Sequence, residues 1–286
     1  MRLKRAPPDS GLGDRLGNYL VFSMLGYIYD ATVYTYWDKN GWSGEYPADI
    51  HEYIQFPKNL VFVAQEEFDA LEAPLLEYRW VYHGFDYIPE TLYRSLVEDG
   101  QISCSFPKMI GFYRRACREM TYKKLLPRVI ATRPGALHLR RGDKGTCSEH
   151  DNRIRRLITD PKMQHKCKAF IVLSDSQADR DKYAPDQHCF SRDPKVAALE
   201  EFFTCAHCKI IVQSVVSNGQ GHYGGWSGFS YVPFQLGMAM YPDSPPWLVS
   251  MSESSGDSRL PHARRYAQRP LTHIVHADQL LSKADV

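Results

Sequence analysis

The sequence predicts an α/β fold in which a parallel sheet is flanked by helices, with the chain divided into two domains. Three observations predict it. Compact apolar runs alternate with helical stretches through the second half, the pattern of strands buried on both faces and joined by helical crossovers. Two glycine-rich segments, at 11–17 and 217–228, each feed an apolar helix. At 286 residues the chain exceeds the usual size of one domain, and 43% hydrophobic and 13% aromatic content suffices for a core.

The elements follow in order. GLGDRLGNYLVFSMLGYIYDA (11–31) opens on glycines and continues with apolar residues at Leu16, Leu20, Phe22, Leu25 and Ile28, which predicts a largely buried helix. The strand ahead of it is expected to be absent or very short. VYTYW (33–37) predicts a strand, DKNGWSGEYP (38–47) a turn-rich loop, and NLVFVA (59–64) a second strand. Mixed polar and apolar residues over 88–126 predict helices that end at Pro127. Beyond it, strands are predicted at ALHL (136–139), AFIVLSD (169–175), KIIVQS (209–214), PWLVS (246–250) and THIV (272–275). Helices are predicted at 176–183, 194–206, 229–240 and 277–283. The change of rhythm sets the domains at 1–128 and 129–286, and ligands of such parallel sheets sit at the carboxyl ends of the strands.

Composition excludes some partners. Lys and Arg number 35 against 33 Asp and Glu, a net charge of +2, so no overall field favours nucleic acid or an anionic membrane. An anion must be recruited by a local cluster. MRLKRAPPDS has no apolar stretch behind its basic start, and no run of about 18 apolar residues occurs, which predicts a soluble, cytoplasmic chain without a transmembrane segment. An anchor on a longer parent protein would change that to the Golgi or ER lumen. Seven cysteines, with one C-x-x-C at Cys205 and Cys208 and no second such pair, predict reduced thiols and no metal site.

The chemistry concentrates in GALHLRRGDKGTCSEHD (135–151). Alternation along a strand puts His138 and Arg140 on one face and Leu137 and Leu139 on the other, with Arg141 at the turn. His138, Arg140 and Arg141 then converge beyond the strand's end, where Gly142 permits close backbone approach. Two guanidinium forks suit a diphosphate, Asp143 can orient one of them, and Lys144 adds a cation. A solvated surface and the adhesion tripeptide Arg141-Gly142-Asp143 compete with that assignment. SNGQGHYGGWSGFSYVPFQLG (217–237) follows a strand and leads into a helix, so its backbone N–H groups can face a second anion. Ser227, Gly228, Phe229 and Ser230 are its best-placed residues, against a surface loop whose glycines only make turns. Asp179-Arg180-Asp181 has the D-x-D spacing of metal sites, but residues two apart on a helix do not face each other, and a solvated face is expected.

HLRRGD, with GLGDRLGN ahead of it and FIVLSDS, LEEFFTCAHCKIIVQS and SGFSYVPF behind it, resembles the superfamily of GDP-fucose-dependent fucosyltransferases: the α1,2, the α1,6 and the protein O-fucosyltransferases. The motifs keep that family's order over most of the chain. The resemblance implies a GT-B-like fold of two Rossmann-like domains facing a donor cleft, with the N-terminal one on the acceptor side. It implies an inverting, metal-independent transfer of a sugar, L-fucose foremost, from a GDP-sugar to a glycan, glycoprotein or other hydroxyl acceptor, with no cofactor and no nucleic-acid partner. Arg140 would hold the β-phosphate, Arg141 and Asp175 would belong to the donor site, and His138 and Glu200 would contact guanine. Ser227, Gly228, Phe229 and Ser230 would meet the diphosphate, while Gly11, Gly13 and Asn18 would close over the donor. Lys144 matches the lysine that supports the base in the α1,6 enzymes; the base position itself holds Ser148, with Glu149 one place beyond and Asp143 as another acid nearby. The sequence departs from the family in its expanded serine loop. A non-catalytic nucleotide or glycan-binding relative and a nicotinamide oxidoreductase are the rival classes. Tyr36, Trp37, Trp42 and Tyr46 would either stack an acceptor sugar or pack the first domain.

Overall fold

Strand pairing is parallel in both main sheets, and the two sheets belong to two compact units. One unit comprises Met1–Leu125 and Ser191–Phe203, the other Leu126–Phe190 and Thr204–Val286. The computed structural model describes residues 1–7, 10–41, 44–76, 89–124, 127–139, 150–174, 176–183, 190–191, 193–214, 228–250 and 274–276.

The first unit opens with β1 (Arg2–Lys4), α1 (Leu12–Ile28) and β2 (Thr32–Thr35), followed by the two-residue strands β3 (Asn40–Gly41) and β4 (Gly44–Glu45). A 3-10 turn (Ile50–Glu52), β5 (Ile54–Gln55), β6 (Leu60–Phe62), α2 (Gln65–Ala70), α3 (Pro89–Glu98), α4 (Phe106–Glu119) and β7 (Thr121–Tyr122) complete it. Its sheet runs β1-β2-β6, all parallel. On the free side of β1, Lys4 forms a parallel bridge with Leu75, its N–H donating to Pro74 O (2.9 Å) and its carbonyl accepting from Leu76 N–H (2.8 Å). Of the two alternatives for the strand ahead of the glycines, absent or very short, the structure has the second. It is three residues long, and only Leu3 of Arg-Leu-Lys is buried, so its periodicity was too short to read.

Helix α1 is buried almost all round, as its apolar composition demands. Its end is a left-handed cap: Asp30 takes φ 49° and Ala31 N–H donates back to Gly26 O (2.7 Å). Across α1 and α4, the Tyr27 hydroxyl donates to Glu119 Oε2 (2.5 Å) and the Arg115 guanidinium lies 4.0 Å over the Tyr27 ring. Within DKNGWSGEYP, expected as a turn-rich loop, β3 and β4 pair antiparallel.

The second unit starts with α5 (Pro127–Thr132), so Pro127 opens a helix where a helix end was expected; proline suits a first helical turn. There follow β8 (Gly135–Leu139), α6 (His150–Thr159), α7 (Pro161–Lys166), β9 (Phe170–Ser174) and α8 (Gln177–Tyr183). Helix α9 (Pro194–Ala206) belongs to the first unit through Phe203 and to the second from Thr204. Then come β10 (Ile210–Ser214), α10 (Gly228–Met240), β11 (Trp247–Ser250) and β12 (Ile274–His276). All pairings in this sheet are parallel, in the order β12-β11-β10-β8-β9. One face buries Leu137, Leu139, Val172, Ile210, Val212 and Val249 against Ile154 and Leu157 of α6 and Met163 of α7. Each such side chain contributes about 1.5–3 kcal/mol of transfer free energy. Helix α10 lies against β10 and β11, with Ser230 bonded to Gln213 on the opposite face of β10 from Ile210 and Val212. The helix expected at 277–283 lies outside the described residues.

Of Asp179-Arg180-Asp181, expected as a solvated face, Asp181 is exposed and Asp179 is not. Because α8 packs on β9, Asp179 is only 8% exposed and Arg180 Nη2 donates to Ser174 O (2.5 Å).

A buried pin closes the other end of this sheet, ahead of β8. Arg133, in a left-handed conformation (φ 43°), donates from Nη1 to Ser244 O (2.9 Å) and from Nε to His207 O (3.3 Å). Its guanidinium lies 3.6 Å over the Tyr241 ring, whose hydroxyl is 2.6 Å from His207 Nδ1. Burial, and then the Arg133 charge, lower the His207 pKa to about 4. The folded protein therefore binds fewer protons than the unfolded chain between about pH 6.5 and pH 4. Stability from this group is complete above about pH 6.5 and is lost on acidification, at up to roughly 1.4 kcal/mol per pH unit. Urea unfolding between pH 7 and pH 4 should show this component, and His207→Gln should remove it. A second expectation concerns α10: a Cβ on Gly237 would meet Ala206 O at 2.7 Å and Pro246 Cγ at 2.9 Å. Gly237→Ala should cost about 1–3 kcal/mol in thermal or urea unfolding, since the carbonyl cannot give way without moving backbone.

Candidate functional site

In the second sheet, β9 lies on one side of β8 and β10, β11 and β12 lie on the other. Renumbered within the unit, this is the order 2-1-3-4-5, with its reversal between β8 and β10. Ligands of open parallel sheets bind at that reversal, beyond the carboxyl ends of the two strands. Here those ends are Leu139 and Ser214, paired in register.

The side chains on the α10 side of this edge are polar and ordered. His138 and Gln213 are register partners, 6% and 1% exposed. Ser230 donates its hydroxyl to Gln213 Oε1 (2.5 Å), and Phe229 stacks on the His138 imidazole with centroids 5.3 Å apart and planes at 29°. Two residues of the first turn of α10 are thus fastened to the two strands that flank the reversal. A 13-residue helix beginning at Gly228 presents its positive dipole end there. An anion is the species such an edge accommodates.

The structure brings together four of the sequence-derived site residues in this place: His138, Gly228, Phe229 and Ser230. Arg140, Arg141, Asp143, Lys144, Glu149, Asp175 and Ser227 lie outside the described residues. Chain order still fixes their attachment points, because Arg140 follows Leu139 at the end of β8 and Asp175 follows Ser174 at the end of β9.

The remaining candidates lie in the first unit. Gly11 is the N-cap of α1, with no side-chain cap and no atom within 4 Å of where its Cβ would be. Gly13 is buried in the first turn, and Asn18, 2% exposed, donates its amide to Asp14 O (2.8 Å). Glu200 accepts from Ser191 N–H (2.5 Å) and lies near Tyr122, whose phenol pKa is raised chiefly by burial and then by that carboxylate. Tyr36, Trp37 and Tyr46 pack: Tyr36 against Phe68 at 5.1 Å, and Trp37 against Tyr19 and Tyr46 at 6.3 and 5.9 Å. Trp42 lies outside the described residues. Cys205 and Cys208 are buried thiols, and Cys208 Sγ donates to Thr204 O (3.3 Å).

Arg15 was not singled out by the sequence analysis, although it is the largest fully buried side chain among the described residues, at 1% exposure. Its guanidinium donates to the carbonyls of Asp38, Asn40 (2.8 Å) and Ser10 (3.4 Å) and lies 5.5 and 5.7 Å from the Trp37 and Tyr46 ring centroids. It joins the chain entering α1 to the loop leaving β2. The signal available in sequence was a lone cation on the Leu12, Leu16, Tyr19 side of an apolar helix.

No protein-family model matches the sequence, and no curated protein matches it. Among solved structures, the fold is similar to the crystal structure of fucosyltransferase NodZ from Bradyrhizobium, at 13% identity and a TM-score of 0.50, covering 81% of this chain and 92% of that one. The selenomethionine form of NodZ from Bradyrhizobium aligns at 14% identity and a TM-score of 0.52, covering 89% and 96%. The fold is therefore mixed α/β of the GT-B kind, with parallel sheets and helices in each unit. Among the described residues no helix is long and apolar enough to cross a membrane.

Arg15→Met retains length and apolar contact but leaves three carbonyls without their donor. It should destabilise the protein by about 2–4 kcal/mol in urea unfolding. A loss below about 0.5 kcal/mol, the scatter of ordinary surface substitutions, would mean that the guanidinium is not holding these loops.

Proposed function

We propose that this chain is an inverting, metal-independent glycosyltransferase that moves a sugar, L-fucose foremost, from a GDP-sugar to a hydroxyl of a glycan or glycoprotein. The observation that carries the proposal is the coincidence of two independent facts. Strand β8 ends within the H-x-R-R-G-D segment, at Leu139, and among the described strands the order reverses between β8 and β10. The fold likeness to a fucosyltransferase supports the same reading.

In this reading Arg140 and Arg141 grip the diphosphate, and Ser227 with the amino end of α10 donates to it. Asp175 and His138 complete the donor site in this unit, Glu200 reads guanine, and Gly11, Gly13 and Asn18 approach the donor from the glycine segment. The acceptor oxygen attacks the anomeric carbon as a carboxylate, Glu149 or Asp143, takes its proton, with Lys144 supporting the base. The bond from that carbon to the β-phosphate oxygen breaks, and its electron pair leaves with GDP. Charge that grows on the departing phosphate is met by fixed guanidiniums and backbone donors, the role a divalent metal fills elsewhere.

Arg140→Lys keeps the charge and loses the fork. GDP release from GDP-fucose in the presence of mixed oligosaccharide acceptors should fall at least about tenfold, roughly 1.4 kcal/mol of transition-state stabilisation. Near-normal release by this variant would remove the diphosphate role. Tight GDP binding by the wild type with no release under any acceptor would assign the chain to the non-catalytic, nucleotide-binding class instead.

A further inference from the structure

The D-x-D segment on α8 has no part in the mechanism above, yet it is built into the carboxyl edge of the sheet. Ser174, the last residue of β9, is 3% exposed and donates its hydroxyl across to Leu139 O, the last carbonyl of β8 (2.8 Å). Ser174 Oγ itself accepts from Ser176 N–H (3.1 Å) and lies 3.5 Å from Asp179 Oδ2. Ser174's own carbonyl accepts from Arg180 Nη2 (2.5 Å), and Asp179 N–H donates to Ser176 Oγ (3.3 Å). At the last register pair of β8 and β9, both terminal carbonyls are therefore held by side chains, where a continuing ladder would use backbone N–H groups.

That exchange has a directional consequence. A carbonyl shares its peptide plane with the nitrogen of the next residue, so fixing Leu139 O fixes the plane that leads into Arg140, and fixing Ser174 O fixes the plane that leads into Asp175. We propose that Ser174, braced by Asp179 and Arg180, is a positioning residue for the anion-binding segments that leave β8 and β9. It aims them without touching the ligand, and the D-x-D segment acts as the brace of an anion site. The inference rests on the nucleotide-sugar reading for the identity of the ligand.

The test is a double-mutant cycle read by calorimetric titration with GDP. Ser174→Ala should weaken GDP at least about fivefold while the melting temperature stays within roughly 5 °C of wild type; Ser174→Thr, which keeps the hydroxyl, should bind within about twofold of wild type. In an Arg140→Ala background, Ser174→Ala should change the remaining affinity by less than about twofold, because nothing is left to aim. Arg180→Gln, at a half-exposed position, serves in the same cycle if Ser174→Ala does not fold; loss of a mere attractive charge would persist in the Arg140→Ala background, whereas loss of aim would vanish there. Wild-type GDP affinity in Ser174→Ala, or an equal loss with and without Arg140, overturns the positioning role and leaves the glycosyltransferase reading standing. Failure of the wild type to bind GDP overturns that reading and this inference with it.

Discussion

The architecture of the second unit depends on one constraint of chain geometry. The connection from β8 to β9 carries α6 and α7 over one face of the sheet, while α10, which connects β10 to β11, packs on the other. Right-handed crossovers that depart to opposite faces must part company between the two strands from which they start. The gap this leaves at the carboxyl edge of β8 and β10 is a result of topology, present before any side chain is chosen. All five residues of β8 are buried, so the strand that ends beside this reversal is held on both faces.

Polar groups at that edge are disposed in a consistent way. At the ends of β8 and β9 a side chain takes over the carbonyl that the ladder gives up, Ser174 at Leu139 and Arg180 at Ser174, and near the end of β10 Ser230 donates to the Gln213 side chain. Buried polar groups cost free energy unless paired, so each bond stabilises its element and fixes a direction at the same time. The first unit uses the same device with a charge. Arg15 is tolerated in an apolar helix because three carbonyls and two aromatic faces surround it.

Much of this was legible in the sequence, and the exceptions have physical causes. Strands β8 to β11 were predicted to within a residue because a strand buried on both faces is a compact, mostly apolar run, as in IIVQS and FIVLS. Helices α6 and α7 were not foreseen: HDNRIRRLIT is mostly polar and buries only a narrow stripe, Ile154 and Leu157. Strand β1 escaped because one buried leucine makes no period. Of the candidate site, the sequence named His138, Gly228, Phe229 and Ser230, which the structure brings together; the stacking of His138 on Phe229 was not legible, since 91 positions separate them. The D-x-D segment was misjudged because helix geometry was considered without the strand on which the helix packs. Asp179 and Arg180 take their roles from Ser174, on the far side of a turn.

Amide hydrogen exchange measured with and without GDP tests the central claim most directly, that the β8–β10 reversal is where a nucleoside diphosphate binds. The account expects GDP to slow exchange in the segments that follow Leu139 and Ser214 and in the first turn of α10, with little change around the Arg133, His207 and Tyr241 pin at the opposite edge. Protection confined to that opposite edge, or none anywhere at saturating GDP, would contradict it.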